Sequence, residues 1–448
     1  MITDARGLAV STESEESLAG YERALGSLHA SRGDAVARIE ETLARDPHFV
    51  AGHCLLAGAL ILAGDVPDRE RLAAAIRSIE RERGRANDRE LRHAFAAHAV
   101  LEGDEREALE RYGDLLVDYP TDSLALQIAQ AFDFRLGQRE LLRDRVAQVL
   151  PHWNEGMPGF GYVLGMYAFG LEEAGDYAQA EALARRALEL EPDNAAATHV
   201  VAHVLEMQGR AREGIAFLES TRPVWAHNAG FAIHNTWHLA LFHLDLDEIN
   251  AALAIYDQAL APHPASPASA LVDASALLWR FELRGIDLRN RWRVLARFWR
   301  HRPLEGQRAF NLMHAVMAFT AAGETALADR MADLLRESSA VRAASAPDDL
   351  KVAVPLSDAL QAFGRGDYAR AVERMNEVRG IAYRCGGSLA QCDFIHLTMI
   401  EAALRSQRAR LARALAAERT ARKPQSALNR LLLARAGAAA TLLQAPAA

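Results

Sequence analysis

Lysine is almost missing from this 448-residue chain. Lys351 and Lys423 are the only two, and arginine carries the rest of the basic charge. Basic residues are interleaved with acidic ones and the formal net charge is −8, which excludes the usual electrostatic footprint of a nucleic-acid-binding protein. Cysteine is also scarce. Cys54, Cys385 and Cys392 are odd in number and match no zinc-knuckle spacing, so neither a disulfide framework nor a cysteine-zinc fold is expected, and a reducing compartment is the default. No run of 18 apolar residues occurs, which argues against a membrane-spanning helix. Acidic residues at Asp4, Glu13, Glu15 and Glu16 are wrong for a secretory leader. The expected location is the cytoplasm. Alternating β-branched runs and Asn-Gly turns are rare as well, which argues against sheets.

What is present is helix-forming and repetitive. Ala, Leu, Arg and Glu dominate, and all four favour helices. An acidic or aromatic residue followed by proline recurs at Asp46-Pro47, Tyr119-Pro120 and Glu191-Pro192, with the prolines 73 and 72 residues apart. That interval is twice the ~34-residue tetratricopeptide unit. The clearest repeat runs over residues 175–209, opening on Gly175-Asp176-Tyr177-Ala178, and the same tetrapeptide recurs at Gly366-Asp367-Tyr368-Ala369. Small alanines at 180, 184 and 187 let neighbouring helices approach. The expected fold is an all-α, tetratricopeptide-type α-solenoid of helix pairs. Residues 1–448 are expected to form a single continuous array with a flexible joint at 338–349, where Ser, Ala and Asp cluster around Pro347. The arginine-rich stretch 289–302, with Trp292, Phe298 and Trp299 interleaved, reads as an amphipathic helix.

Histidines follow the same period. His199 and His203 are one helical turn apart, with Glu206 on the same face. His234 and His238 repeat the pair 35 residues later, and a further 35 residues from His238 reaches Asp273. His314 follows 41 residues after Asp273. In a helix-pair array the first helices of successive repeats lie side by side, with axes about 8–10 Å apart. His203, His238 and Asp273 are therefore expected in one row, and His199 and His234 in a second, one turn away. Three readings are open. The histidines can form a hydrogen-bonded polar core that fixes repeat register. They can hold a divalent metal (Zn, Mn, Fe or Ni), since imidazole and carboxylate suit these ions and an i,i+4 pair can share one ion. They can serve metal-free acid-base chemistry. The first pair reads HVVAH and lacks the general base of a zincin helix.

The runs GMYAFGLEE at 165–173, HVVAHVLEMQG at 199–209, HNTWHLALFH at 234–243 and LVDASALLWR at 271–280, with Gly386-Gly387-Ser388, resemble the tetratricopeptide repeat protein 38 family, also called StaR-like. The resemblance covers nearly the whole chain. It implies a tetratricopeptide-like solenoid and no defined reaction. The chain departs from the family pattern at Asn311-Leu312-Met313 and around Leu389 and Cys392.

Two functions follow from these readings. One is a small-molecule site in the concave groove, in its sharpest form a metal-dependent hydrolase. There His199, His203, His234, His238, Asp273 and His314 hold the ion, Glu206 is the base, and Arg280, seven residues after Asp273, orients an anionic substrate. The other is an interaction scaffold whose groove binds a partner peptide. Neither a nucleic-acid nor a membrane partner is expected.

Overall fold

The computed structural model describes residues 1–64, 68–228, 230–302, 308–341 and 348–442. Among them lie twenty-four α-helices, and strand structure is confined to Ile2–Thr3 paired antiparallel with Ala9–Val10. No described helix is long and apolar enough to cross a membrane.

The punctuation seen in the sequence sets the helix ends. Both Gly-Asp-Tyr-Ala tetrapeptides work alike. Gly175 and Gly366 turn the chain at φ 90° and 80°, a left-handed conformation that suits glycine. Asp176 and Asp367 then cap the next helix, accepting from the backbone N–H of Gln179 and Arg370 at 3.3 and 3.2 Å. Helices Ala35–Arg45, Glu105–Asp118 and Tyr177–Leu190 each stop at the residue before an acidic- or aromatic-proline pair, because the residue before proline is pushed out of the helical region. The arginine-rich stretch forms helix Arg289–Arg300, which buries Trp292, Leu295, Ala296 and Trp299. Phe298 is only partly buried.

By contacts the chain divides into two compact units. One comprises Met1–Val201 with Arg222–Ala232, and the other Ala202–Thr221 with the chain from Ile233 on. The first unit packs around Tyr21, Phe49, Tyr112 and Phe132. Within it, helices Arg139–Val149 and Phe160–Glu173 meet backbone to backbone at Gly170, where a Cβ would lie 2.4 Å from the Leu142 carbonyl oxygen. The second unit packs around Trp237, Trp279, Trp292 and Phe281. Of the segment 338–349, residues 342–347 lie outside the described residues; helix Thr325–Val341 enters it and helix Asp348–Gly364 begins near its end.

His29 shows how the first unit treats a buried imidazole. It ends helix Glu15–His29, and its ring lies within hydrogen-bonding distance of two neutral partners on helix Ser123–Arg135, Gln127 Oε1 at 2.8 Å and Ser123 Oγ at 2.9 Å. Burial pushes its pKa down to about 4, against a smaller opposing effect of the Gln127 bond. The folded chain thus resists protonation that the unfolded chain accepts below about 6.5, so this contribution to stability is complete above that pH and is lost as pH falls toward 4. His29→Gln should therefore lose less stability than the wild type between pH 6.5 and 4, by up to about 3 kcal/mol. Urea midpoints measured across that range check this; identical slopes for the two proteins would refute it.

Candidate functional site

Three helices of the second unit carry the site. The division between units falls inside helix Ala195–Gln208, so His203 and Glu206 belong to the second unit and His199 to the first. Asn194 starts this helix by accepting from the Ala197 N–H at 2.9 Å, and Gly209 at φ 73° ends it. Helix Ala232–Asp245 brings His234, Trp237 and His238, and helix Ala268–Glu282 brings Asp273 and Arg280.

His203, His234 and His238 converge. One ligand nitrogen from each lies within 4.8 Å of the others. Ring centroids are 4.6 Å apart for His203 and His238 and 4.8 Å for His234 and His238. His203 and His238 are fully buried. Each ring of the second pair is gripped from behind by a carboxylate. His238 Nδ1 donates to Glu206 Oε2 at 2.8 Å, and His234 Nδ1 donates to Asp273 Oδ2 at 2.7 Å. An ionised carboxylate only accepts, so Nδ1 carries the hydrogen and, in a neutral ring, Nε2 holds the lone pair.

The two rings are held in opposite electrostatic states. Burial, the neighbouring His203 and His234, and the cations Arg280 and Lys423 hold His238 well below the ordinary histidine range. Burial also opposes charge on His234, but the charge and hydrogen bond of Asp273, with Glu206 behind them, outweigh it and raise that ring.

The pairing differs from a strict 35-residue row. His203 and His238 are neighbours as the period requires, but Asp273 pairs with His234, 39 residues before it, and Glu206 pairs with His238, 32 residues after it. Each carboxylate lies one helical turn from the strict register. Helical side chains lean toward the helix N-terminus, and facing helices need not align residue for residue, so one turn of slippage is within reach of long side chains. His199 stands one turn before His203 on the same helix, with its ring against Phe169 and Phe231. His314 is not brought into the histidine group. Its Nδ1 donates to the Phe310 carbonyl of its own helix at 2.8 Å, its ring packs on Phe310 and Phe394, and burial pushes its pKa down to about 4. The 41-residue interval had already broken the period.

Arg280 is buried, and its guanidinium is not paired with Asp273 or Glu206. It donates to the carbonyls of Ala276 and Ala390 at 2.8 and 2.9 Å and lies 5.3 Å from the Trp237 ring centre. Trp237 in turn stacks on His234, with ring centres 5.2 Å apart and planes 15° from parallel.

Two contributors escaped the sequence reading. Gln391 donates from Nε2 to Asp273 Oδ1 at 3.2 Å, across 118 residues. Its own position is fixed by the turn at 386–388, where Ser388 caps helix Leu389–Arg405 and Gln391 closes a reciprocal capping box. The second is Lys423, whose Nζ lies 3.6 Å from Glu206 Oε1. Its rarity was the only signal available. Next to Glu206, Arg280 and Lys423 lies a cavity of about 90 Å³, lined by leucines and by charged groups.

A tetratricopeptide-repeat family model matches residues 171–224, the repeat with the clearest punctuation. Similar solved structures include a Rap protein complexed with Competence and Sporulation Factor (13% identity, 92% of this chain and 100% of that chain, TM-score 0.43). They also include the human IFIT1 dimer with m7Gppp-AAAA (15% identity, 97% and 96% covered, TM-score 0.45). A third is the P58(IPK) TPR domain (12% identity, 88% and 98% covered, TM-score 0.22). The protein is an all-α, tetratricopeptide-type helical-repeat protein.

Proposed function

We propose that this protein, a member of the tetratricopeptide repeat protein 38 family on the resemblance of its histidine-bearing runs, uses the second unit as a metal-dependent small-molecule site. His203, His234 and His238 are the ligands. Glu206 and Asp273 orient two of the rings. The observation that carries this is the paired arrangement of Nδ1–carboxylate bonds on rings whose ligand atoms cluster within 4.8 Å. Metal-bound histidines characteristically give their other N–H to a carboxylate, which fixes the tautomer and raises the basicity of the ligating nitrogen.

Zinc–nitrogen bonds of about 2.0–2.1 Å place tetrahedral ligands roughly 3.4 Å apart, within the 4.8 Å bound on the ligand-atom separations here. Three imidazoles leave a coordination position open, and the chemistry an ion supplies there is activation of water for hydrolysis. Glu206 is then a positioning residue and not the base, because its Oε2 is engaged by His238 and its Oε1 faces Lys423. Asp273 supports His234 instead of ligating.

The test is elemental analysis of protein purified without an affinity tag after growth with added Zn, Mn, Fe and Ni. About one ion per chain is expected. A metal content below about a tenth of that under every condition would overturn the proposal and leave the histidines as a polar core.

A further inference from the structure

The cavity beside the histidines is polarised, and its charges do not cancel. Five cationic side chains and four carboxylates line it. Most are committed to one another. Arg419 pairs with both oxygens of Asp393, one at 2.6 Å. Glu401 is held by Arg405 at 2.8 Å and Arg435 at 3.0 Å. Arg284 is held by Asp247 and the Leu244 carbonyl, both at 2.6 Å. Asp245 accepts from Ser426 Oγ and from the Ala427 N–H.

The end nearest the histidines is different. Arg280 makes its hydrogen bonds to two neutral carbonyls and lies over a tryptophan face, and Asp393, Glu206 and Asp273 act on it only through space. Lys423 is buried, with 7% of its side chain exposed, and its nearest carboxylate oxygen, Glu206 Oε1, is 3.6 Å away, beyond hydrogen-bonding distance. Glu206 is shared with His238. Over the whole lining, five cations against four carboxylates leave one net positive charge, and burying the Lys423 ammonium is costly unless it is fully hydrogen-bonded. The lining also includes the apolar side chains of Leu241, Leu244, Leu397 and Leu428, and of Leu431, which is 48% exposed.

We infer that this cavity binds a monocarboxylate with an aliphatic tail, its carboxylate against Lys423 and its chain along the lining leucines. One net positive charge is matched by a single carboxylate, whereas a phosphate dianion overcompensates it. Covering methylenes with the apolar lining is favourable, which selects a chain over a small inorganic ion. The choice of lysine fits this role. Among the described residues most ion pairs are made by arginine, whose planar fork suits fixed bidentate partners. Lysine offers a compact point charge with three rotatable donors, suited to a partner that comes and goes. Glu206 reaches from this cavity to His238, so the ligand head would sit next to the histidine cluster. The inference deepens the metal-site reading by naming a substrate class, and rests on that reading only for what happens to the ligand, not for its binding.

The experiment is calorimetric titration of the purified full-length protein with hexanoate, with hexanamide as the uncharged counterpart of the same shape, and with inorganic phosphate. Hexanoate is expected to bind at least tenfold more tightly than hexanamide, and phosphate not at all. In Lys423→Met, which keeps the length and loses the charge, the preference for hexanoate over hexanamide should disappear. Equal binding of acid and amide by the wild type, phosphate binding as tight as hexanoate, a preference that survives Lys423→Met, or no hexanoate binding at millimolar concentration would each overturn the inference. The wild-type comparison decides the matter even if the variant does not fold. Metal content measured on the same samples separates the two proposals: hexanoate can fail to bind a metal-loaded protein, or bind one that holds no metal.

Discussion

His238→Ala should remove the metal from the second unit while its helices stay folded. Of the three proposed ligands, His238 is fully buried, sits between His203 and His234, and has its Nδ1 held by Glu206. Loss of a carboxylate partner alone typically costs 10–100-fold in metal affinity, and loss of the ligand itself costs more. Occupancy should therefore fall to background in the variant and fall partially in Glu206→Gln, whose amide oxygen can still accept from Nδ1 but carries no charge. Stability should fall much less, by about 1–3 kcal/mol, the cost of leaving Glu206 with one partner fewer in a buried site. Metal content and thermal midpoint on the same samples check both. A variant that retains its ion, or one that unfolds outright while the wild type holds no ion, would show that His238 is a core residue and not a ligand.

Trp237→Ala should be the more damaging substitution for the fold. Its ring is wholly buried in the core of the second unit, stacks on His234, and provides the face over which Arg280 lies. Truncating a buried tryptophan costs about 3–5 kcal/mol through lost transfer energy and the void left behind. Loss of the cation–π contact adds about 0.5–2 kcal/mol where the cation is desolvated. The helical signal followed in urea should show the midpoint lowered accordingly, and Trp237→Phe should recover most of it. A loss below about 1 kcal/mol for the alanine variant would mean that the neighbouring side chains collapse into the space.

The architecture was legible because local rules set it. The Gly-Asp-Tyr-Ala tetrapeptides specify a left-handed turn and a cap, and the acidic- and aromatic-proline pairs specify stops; neither depends on distant contacts. The site was legible as far as periodicity reaches. A 35-residue offset puts His203 beside His238, because equivalent positions on neighbouring helices face one another. It failed for Asp273, which lies one turn off the row, and for His314, which follows a longer interval and turns its Nδ1 to its own backbone. It could not reach Gln391 or Lys423. Both arrive from the C-terminal helices, and one links residues 118 apart, so no periodic rule relates them to the histidines. Sequence also places Glu206 near imidazoles without saying which of its oxygens is engaged, and in the structure Oε2 accepts from His238 while Oε1 lies 3.6 Å from Lys423 Nζ.

The scarcity of lysine makes the protein chemically addressable without mutation. Of its two side-chain amines, that of Lys351 is on an exposed residue and that of Lys423 is enclosed in the cavity wall. An amine-selective acylating reagent would modify the first quickly and the second only when the cavity admits it. The ratio of the two modifications, read by peptide mass mapping, would therefore act as a built-in gauge of cavity access, with Lys351 as its internal standard.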